Sequence, residues 1–483
     1  MAKQEQIKIL FASFEAVPFS KTGGLGDVAG SLPSYVLSTK YDIRVILPKL
    51  SCIPEKYKSK MIPLCNFSVP LGWRNVYCGI EVLKLGKITY YFLDNEYYFN
   101  RSKVYGEFDD GERVAFFSKA ILESIVHIKD FMPDVIHCND WHTALVPVFL
   151  HEQYMGIPGF ENIKTIFTIH NLKFQGQFSD FVIDDICGLK GTPAENQLRI
   201  GQAANYMQGA LKYVEKITTV SPSYANEICT KYFGEGLDWL FNERRDRLVG
   251  ILNGIDTKAL DPANDAALPF TFTSSDIKGK AACKEALQKE LGLEVKPDTP
   301  LFAIISRLTE QKGMDLVTYN LPMFADGKMQ LVVLGTGESQ YEEAFGYYAD
   351  KYPKSIACAF KFDEQLSHRI YAGSDAFLMP SKFEPCGLSQ LMAMRYGSLP
   401  IVRETGGLKD TVIPFNKYTK EGTGFSFANY NAHELKEQIN RAYDLYANDK
   451  KTWDKLVKQA MEKDYSWKQS AKEYRKLYSS LVK

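Results

Sequence analysis

The chain has 483 residues, too many for one ordinary hydrophobic core, so two domains are the default expectation. Its 58 basic and 58 acidic residues cancel, which argues against nucleic acid or an anionic membrane surface as a partner. No apolar run approaches the roughly 20 residues that cross a bilayer, and residues 1–5 show no signal-peptide pattern. Nine cysteines without a CxxC pair indicate reduced thiols, and we expect a cytoplasmic protein.

Short apolar runs alternate with amphipathic stretches, a pattern that predicts an α/β fold with mainly parallel sheets. The first series of predicted strands covers residues 7–12, 43–47, 135–138, 165–169 and 217–220. The second covers residues 301–306, 331–334, 376–379 and 400–402. The segment 256–300 between them is polar and lysine-rich. We therefore predict two doubly wound, Rossmann-like domains with a hinge near Asn253, whose facing sheets would build one site in a central cleft.

A glycine-rich turn, Lys21-Thr-Gly-Gly-Leu-Gly-Asp-Val28, follows the first predicted strand and leads into a predicted helix. Backbone N–H groups and the positive end of the helix dipole would meet there, and Lys21 adds a full charge. This combination suits an anionic group such as the diphosphate of a nucleotide. Many strand-to-helix turns carry glycines only in order to turn, so a purely structural turn is the alternative interpretation.

Two other strands of the first series end in polar segments, residues 137–142 (HCNDWH) and 168–172 (TIHNL). Ligands of open α/β sheets bind beyond the carboxyl ends of the strands. The candidates for binding sugar hydroxyls there are Asp140, His142, His170 and Asn171. The histidines lack the HExxH spacing of a helical zinc site, so a metal site is not favoured.

In the second series, residues 306–313 (SRLTEQKG) place Arg307 and Lys312 on a loop after a strand. An arginine fork and a lysine point charge both suit a diphosphate. A surface salt bridge is the alternative for each cation taken singly. The three cations Lys21, Arg307 and Lys312 together favour phosphate.

Two further segments of the second half follow predicted strands. Residues 383–388 (FEPCGL) place the carboxylate of Glu384 at a strand end, where Gly387 and Leu388 open a helix and offer backbone amides. Cys386 has no histidine close in sequence, so a packed thiol is favoured over a nucleophile. Residues 405–408 (TGGL) repeat the phosphate-cradle pattern, with Thr405, Gly406 and Gly407 at a helix start. The chain contains no Asp-x-Asp motif with which to hold a divalent ion.

These segments, together with residues 252–256 (LNGID), resemble the bacterial glycogen synthase and plant starch synthase family and occur in the family's order. The resemblance implies a GT-B fold. Its domains would be residues 1–253 on the acceptor side, residues 254–465 on the nucleotide-sugar side, and a terminal helix, residues 466–483, that returns to the first domain. It further implies elongation of an α-1,4-glucan, glycogen or starch, from ADP-glucose with retention of configuration. No cofactor, metal, nucleic acid or membrane is implied, and we expect a monomer or a small homo-oligomer.

The resemblance also implies a role for each matching residue. The catalytic set is His170, Asp140, Arg307, Lys312 and Glu384. The substrate-binding set is Lys21, Gly24, Asp27, Asn171, Asn253, Phe362, Cys386, Gly387, Leu388, Thr405, Gly406 and Gly407. Phe362 stands where the family often has a tyrosine that stacks on adenine, so stacking is kept and the hydroxyl is lost.

Front-face displacement is the favoured mechanism, in which the glucan 4-hydroxyl attacks C1 on the side from which ADP departs. Double displacement through a glycosyl-enzyme stays open as the alternative. So do UDP-glucose as the donor, another retaining GT-B transferase of the sucrose type, and an inactive glucan-binding homologue.

Overall fold

The computed structural model describes residues 6–482, and the chain divides into two units. Unit 1 runs up to Asn253 and resumes at Trp467, whereas unit 2 is Gly254–Ser466. Residues 1–5, on which the expectation of no signal peptide rests, lie outside the described residues, as does Lys483 at the end of the predicted terminal helix. Within the described range, none of the helices combines the length and apolar character needed to cross a bilayer.

The strands of unit 1 form one large and one small sheet. They are β1 (Ile7–Ala12), β2 (Tyr41–Pro48), β3 (Ile62–Leu71), β4 (Arg74–Leu85), β5 (Ile88–Asp94), β6 (Val135–Asn139), β7 (Lys164–Ile169), β8 (Gln177–Ser179), β9 (Arg199–Ile200), β10 (Ala203–Asn205), β11 (Lys216–Thr219) and β12 (Leu248–Gly250). The large sheet has the order β12-β11-β7-β6-β1-β2-β5-β4-β3, and β8-β10-β9 form the small one. From β12 to β5 the large sheet is parallel, and its central strand β6 is buried along its whole length.

Unit 2 contains one parallel sheet. Its strands are β13 (Leu301–Ile305), β14 (Gln330–Leu334), β15 (Ile356–Ala359), β16 (Ala376–Met379), β17 (Leu399–Arg403) and β18 (Phe425–Phe427), in the order β15-β14-β13-β16-β17-β18. Every pair in this sheet is parallel. The predicted α/β class with mainly parallel sheets is therefore confirmed in both units.

Most of the helices connect successive strands, and the last three follow the final strand. They are α1 (Gly24–Val36), α2 (Glu55–Lys58), α3 (Glu96–Phe99), α4 (Asp110–Ile125), α5 (Leu145–Phe149), α6 (Pro193–Leu198), α7 (Tyr206–Tyr213), α8 (Pro222–Glu227), α9 (Asp238–Glu243), α10 (Lys278–Glu290), α11 (Met314–Asn320), α12 (Ser339–Lys351), α13 (Glu364–Gly373), α14 (Ser389–Arg395), α15 (Gly406–Thr411), α16 (Ala432–Asn448), α17 (Lys450–Glu462) and α18 (Trp467–Leu481).

The antiparallel strands at one side of the large sheet were not predicted. β3 and β4 pair with each other, and β4 pairs with β5, in antiparallel register. β3 is the edge strand, and most of its side chains are at least partly exposed, with Ile62 69% exposed. An edge strand with one solvated face carries no continuous apolar run, which is the signal used to find the buried parallel strands.

The last helix, α18, packs on unit 1. Trp467, Tyr474 and Tyr478 are buried, as expected for packing anchors. The hydroxyl of Tyr478 lies 2.7 Å from Nδ1 of His137, which belongs to the central strand β6. The expected return of the terminal helix to the first domain is thus confirmed, and the helix packs on the sheet that carries the candidate residues of unit 1.

Candidate functional site

Three neighbouring strands of unit 1 end at one edge of the sheet. β6 pairs in parallel with β1 on one side and with β7 on the other. Their registers place Cys138 opposite Ala12 and Asn139 opposite Thr168. The segments that follow these strands, which carry Asp140 and His170, therefore begin side by side.

Asp140 and His170 are joined directly. The backbone N–H of His170 donates to Oδ1 of Asp140 at 2.7 Å, and Nε2 of the same histidine lies 3.0 Å from Oδ1 of Asn139. Asn139 is tied in turn to the carbonyl of Ala12 at 2.9 Å. The structure thus brings together two residues that the sequence had placed 30 positions apart.

The backbone of Asp140 adopts a conformation that residues with a side chain rarely adopt. Its φ is 55° and its ψ is 179°. This region is populated almost only by glycine and costs on the order of 1–3 kcal/mol for other residues, and such strain clusters at functional sites. The N–H of Asp140 donates to the carbonyl of Thr168 at 2.9 Å, which helps to hold the conformation. We infer that the fold keeps this carboxyl group in position despite the cost in local backbone energy, as is typical of functional residues.

Burial favours the neutral forms of the Asp140 and His170 side chains. It raises the pKa of Asp140 to about 7, although the N–H groups of His170 and Asn171 partly oppose the shift. It lowers the pKa of His170 to about 3. His170 is consequently a neutral hydrogen-bonding group at pH 7, whereas Asp140 can hold or release a proton there.

The glycine-rich turn binds a carboxylate of the chain itself, that of Glu15. The N–H and the hydroxyl of Thr22 both donate to Oε2 of Glu15, at 2.6 and 2.8 Å, and a backbone bond from Gly26 also reaches this carboxylate. Glu15 is only 2% exposed, and burial raises its pKa. Glu15 therefore occupies some of the backbone N–H groups that were predicted to bind a diphosphate. Reasoning from the sequence missed this residue, because the signal, a carboxylate three positions after a strand, is weak on its own.

The remaining predicted residues of unit 1 differ in their surroundings. Lys21 is half-exposed and pairs with Asp27 at 2.8 Å, and Gly24 is the first residue of α1. Asn171 is half-buried. Asn253 is 7% exposed, and its Oδ1 has no hydrogen-bond partner among residues 6–482. A buried amide oxygen without a partner is a good candidate for contact with a ligand.

His142 is another buried side chain of unit 1 with unused hydrogen-bonding capacity. It is 4% exposed, and in the described part of the chain neither of its ring nitrogens has a partner. The ring stacks on Phe14 at a centroid distance of 5.0 Å and lies 5.1 Å from the ring of Tyr105. Tyr105 in turn contacts the hydroxyl of Thr22, which connects the glycine-rich turn to this histidine.

In unit 2 a buried ion pair joins the loops after two adjacent strands. Nζ of Lys312, after β13, lies 2.6 Å from Oε2 of Glu384, after β16. Ser381 donates to the same oxygen at 3.1 Å. The Glu384 side chain is 7% exposed and that of Lys312 is 18% exposed, so the two charges are held in a largely desolvated position.

Arg307 lies on the same loop as Lys312 but is exposed. Among residues 6–482, its guanidinium has neither an ion-pair nor a hydrogen-bond partner. An arginine fork without a partner beside a buried ion pair can bind phosphate or carboxylate oxygens in a bidentate manner.

The glycines of unit 2 permit close packing of two loops. A Cβ on Gly406 would collide with the carbonyl of Glu384, and one on Gly407 with Cys386. The N–H of Gly407 donates to the carbonyls of Glu384 and Pro385, each at 3.2 Å. A phosphate could contact this amide, as predicted, only if these two hydrogen bonds broke. The close packing of the two loops is by itself sufficient to explain why residues 406 and 407 are glycines.

The other predicted residues of unit 2 differ in their burial. Thr405 is fully buried at the N-cap of α15, and Gly387 has a φ of 73°. Cys386 is 4% exposed and Leu388 is half-buried. Phe362, between β15 and α13, is 87% exposed and lies on a different loop from those of Lys312 and Glu384. No group of three or more His, Cys, Asp or Glu side chains in the described residues is arranged to hold a metal ion.

Comparison with known proteins identifies related sequences along the whole chain. The family model for the starch synthase catalytic domain matches residues 8–243, and that for glycosyl transferases group 1 matches residues 288–463. A glycogen synthase of Clostridium acetobutylicum is 49% identical over 477 residues, covering 99% of this chain and 100% of the relative. One of Clostridium perfringens is 49% identical, with 99% of each chain covered.

Two solved structures extend the comparison. The catalytic domain of starch synthase IV from Arabidopsis thaliana, bound to ADP and acarbose, is 33% identical with a TM-score of 0.90, covering 99% of this chain and 100% of that one. A sucrose-phosphate synthase from Thermosynechococcus elongatus has a TM-score of 0.62 at 16% identity, with 99% of each chain covered. At that identity the likeness concerns the fold alone.

The buried His142 makes the stability of the protein sensitive to acid. Burial lowers its pKa to about 3, so between pH 6.5 and 3 the unfolded chain binds a proton that the folded chain does not. Stability therefore falls as the pH drops below about 6.5. We expect His142→Phe to reduce the pH slope of the unfolding free energy by one proton, about 1.4 kcal/mol per pH unit.

The measurement is denaturant unfolding of wild type and variant between pH 4 and pH 8. The matched control is His151→Phe, because His151 is exposed and belongs to the same unit. An unchanged slope in His142→Phe would show that His142 does not stay neutral when the protein is folded.

Proposed function

The chain belongs to the family of glycogen and starch synthases, which are glycosyltransferases, and from this premise we propose that it transfers glucose from ADP-glucose to the non-reducing 4-hydroxyl end of an α-1,4-glucan. Retention of configuration and independence from metal ions and cofactors are part of the proposal. The GT-B fold class expected from the sequence is confirmed by the starch synthase match. The assignment of the first domain to the acceptor and of the second to the nucleotide sugar stays a prediction.

The observation that carries the proposal is the arrangement of Lys312, Glu384 and Arg307 after the adjacent strands β13 and β16. We propose that Arg307 and Lys312 bind the diphosphate of the donor and stabilise the charge that develops as ADP departs. Glu384, whose carboxylate also accepts a hydrogen bond from Ser381, holds the lysine ammonium in a fixed position, so little reorganisation is needed during the reaction. Phe362 offers an exposed ring on which the adenine can stack.

The residues of unit 1 complete the proposal. His170 and Asp140 line the reacting glucose, with Asn171 and Asn253 as further hydrogen-bonding groups. Lys21, Gly24 and Asp27 contribute to binding of the donor. The glucan 4-hydroxyl attacks C1 on the face from which ADP leaves, the bond from C1 to the phosphate oxygen breaks, and the phosphate takes the hydroxyl proton. Cytoplasmic location and a monomer or small homo-oligomer belong to the same proposal.

The reaction predicts a specific pattern of donors and acceptors. We expect labelled glucose to enter glycogen from ADP-glucose, with release of one ADP for each glucose, and we expect less incorporation from UDP-glucose. The same assay with fructose as acceptor distinguishes the sucrose-type alternative. Absence of ADP release in the presence of glycogen would contradict the proposal and favour an inactive glucan-binding homologue.

Lys312 should be needed for turnover rather than for folding alone. Loss of one preorganised charge stabiliser typically lowers turnover about 10²–10³-fold. We therefore expect Lys312→Ala to lose about this much in kcat at saturating ADP-glucose. Lys289→Ala removes an exposed lysine of the same unit that pairs with Glu285, and it should keep normal turnover.

The thermal unfolding temperature of Lys312→Ala must be measured together with its rate. The variant leaves the buried carboxylate of Glu384 without its lysine, which can lower stability. Near-normal kcat in a folded variant would contradict the assigned role.

Removal of metal ions should leave the rate unchanged. In the proposed mechanism the leaving diphosphate is stabilised by the cations of the chain rather than by a divalent ion. The test is the initial rate before and after dialysis against EDTA, with and without added Mg²⁺. A loss of activity that only the metal restores would overturn this part of the proposal.

A further inference from the structure

A chain of polar side chains crosses the core of unit 1, from the terminal helix to three strands of the large sheet. The hydroxyl of Tyr478 on α18 lies 2.7 Å from Nδ1 of His137, and Nε2 of this histidine lies 2.6 Å from Oγ1 of Thr168. Oγ1 of Thr168 lies in turn 2.5 Å from that of Thr218. All four side chains are fully buried, so bulk water does not compete for these bonds.

The chain lies close to the residues that hold His170. Each strand contributes one member near its carboxyl end: His137 belongs to β6, Thr168 to β7 and Thr218 to β11. Thr168 stands opposite Asn139, whose Oδ1 lies 3.0 Å from Nε2 of His170. Side chains of a strand alternate between the two faces of a sheet, so His137 and Asn139 share a face. The bond from His137 to the neighbouring strand thus joins the two strands whose ends form the contact with His170.

A polar chain is unusual at this place in a parallel sheet. Parallel strands that are buried on both faces are normally apolar, and a buried polar group is tolerated only when its hydrogen bonds are made. Apolar side chains of similar volume would serve packing alone equally well. Hydrogen bonds depend on direction as well as on distance, so a satisfied network favours one arrangement of the strands that carry it.

The imidazole of His137 links the two ends of the chain. Burial lowers the pKa of His137 to about 3, so the ring is neutral at pH 7. A neutral imidazole donates through one nitrogen and accepts through the other. The bonds to Tyr478 and Thr168 therefore have the same sense along the chain, and a change at the tyrosine hydroxyl alters the bond that the ring makes to β7.

We propose that Tyr478 and His137 are positioning residues, which hold the end of β6 against β7 so that the His170 ring keeps the orientation needed for glucose transfer. The need for this orientation rests on the proposed function, whereas the connection between the two strands rests on the contacts of unit 1 alone. The terminal helix contributes to the candidate site in this way, although none of its residues belongs to the sets implied by the sequence.

The first test is the variant Tyr478→Phe, which removes one hydroxyl and keeps the ring. We expect kcat with ADP-glucose and glycogen to fall about tenfold, because small displacements of the reacting geometry are costly. Both KM values should stay unchanged, because no group that binds substrate is removed. The matched control is Tyr41→Phe, which removes a hydroxyl that joins α18 to β2 through the carbonyl of Arg475 and Oγ of Ser479, at 2.9 and 2.7 Å. This control should keep the wild-type kcat.

A second measurement does not depend on turnover. Nitrogen NMR of protein labelled at histidine reports the hydrogen bonds of each imidazole, and the His170 signals are identified by their absence from His170→Gln. We expect these signals to shift in Tyr478→Phe and to stay in place in Tyr41→Phe. Should Tyr478→Phe fail to fold, which its thermal unfolding temperature would show, Thr218→Val breaks the other end of the chain with little change in volume. It should shift the same signals and lower kcat to a smaller extent.

The double variant Tyr478→Phe/Asn139→Ala tests the route of the effect. Asn139→Ala removes the bond between β6 and the His170 ring. If the tyrosine acts through this bond, the double variant should have the same kcat as Asn139→Ala alone.

The proposal is overturned if folded Tyr478→Phe keeps the wild-type kcat or leaves the His170 signals in place. It is also overturned if Tyr41→Phe loses as much activity, or if the losses in the double variant are additive. Failure of the proposed function is a separate result: wild type would then transfer no glucose, while the His170 signals would still report on the positioning of this ring.

Discussion

Parallel pairing of neighbouring strands is the constraint on which the candidate residues of each unit depend. In unit 1 it places Asn139 opposite Thr168, so the segments that carry Asp140 and His170 start at the same edge of the sheet. In unit 2 the pairing of β13 with β16 does the same for the loops of Lys312 and Glu384. The loops themselves are irregular. Their functional groups meet because the strands beneath them are buried and paired in register.

Within each unit, ion pairs and hydrogen bonds to carboxylates hold the candidate side chains in place without a ligand. Lys312 pairs with the buried carboxylate of Glu384, and Lys21 pairs with Asp27. Glu15 occupies part of the helix start that an external anion would otherwise use. Arg307 has no such partner in the described part of the chain. Paired charges keep the loops ordered and cost less to bury than isolated ones, whereas the arginine is available to a new anion.

The two substrates of the proposed reaction require different kinds of surface. A nucleoside diphosphate needs cations and oriented N–H groups, as found around Arg307 and Lys312. A glucan is neutral and is recognised through its hydroxyls, for which side-chain amides such as those of Asn171 and Asn253 are suited.

The sequence by itself determined the α/β class, the two series of parallel strands and the residue types placed at their ends, because buried parallel strands are continuous apolar runs and turns need glycine or polar residues. It also located Asp140, His170, Lys312 and Glu384 at strand ends. Only the tertiary structure decided which of them touch. The bond from the His170 N–H, the N–H bond that holds the strained Asp140 and the use of the Gly407 amide depend on contacts between segments distant in sequence. The role of Glu15 depends on how the chain turns back between Glu15 and Thr22. Periodicity reports which face of an element is buried and says nothing about the partner that buries it. The exposed edge strand β3 had no sequence signal for a different reason, because it carries no continuous apolar run.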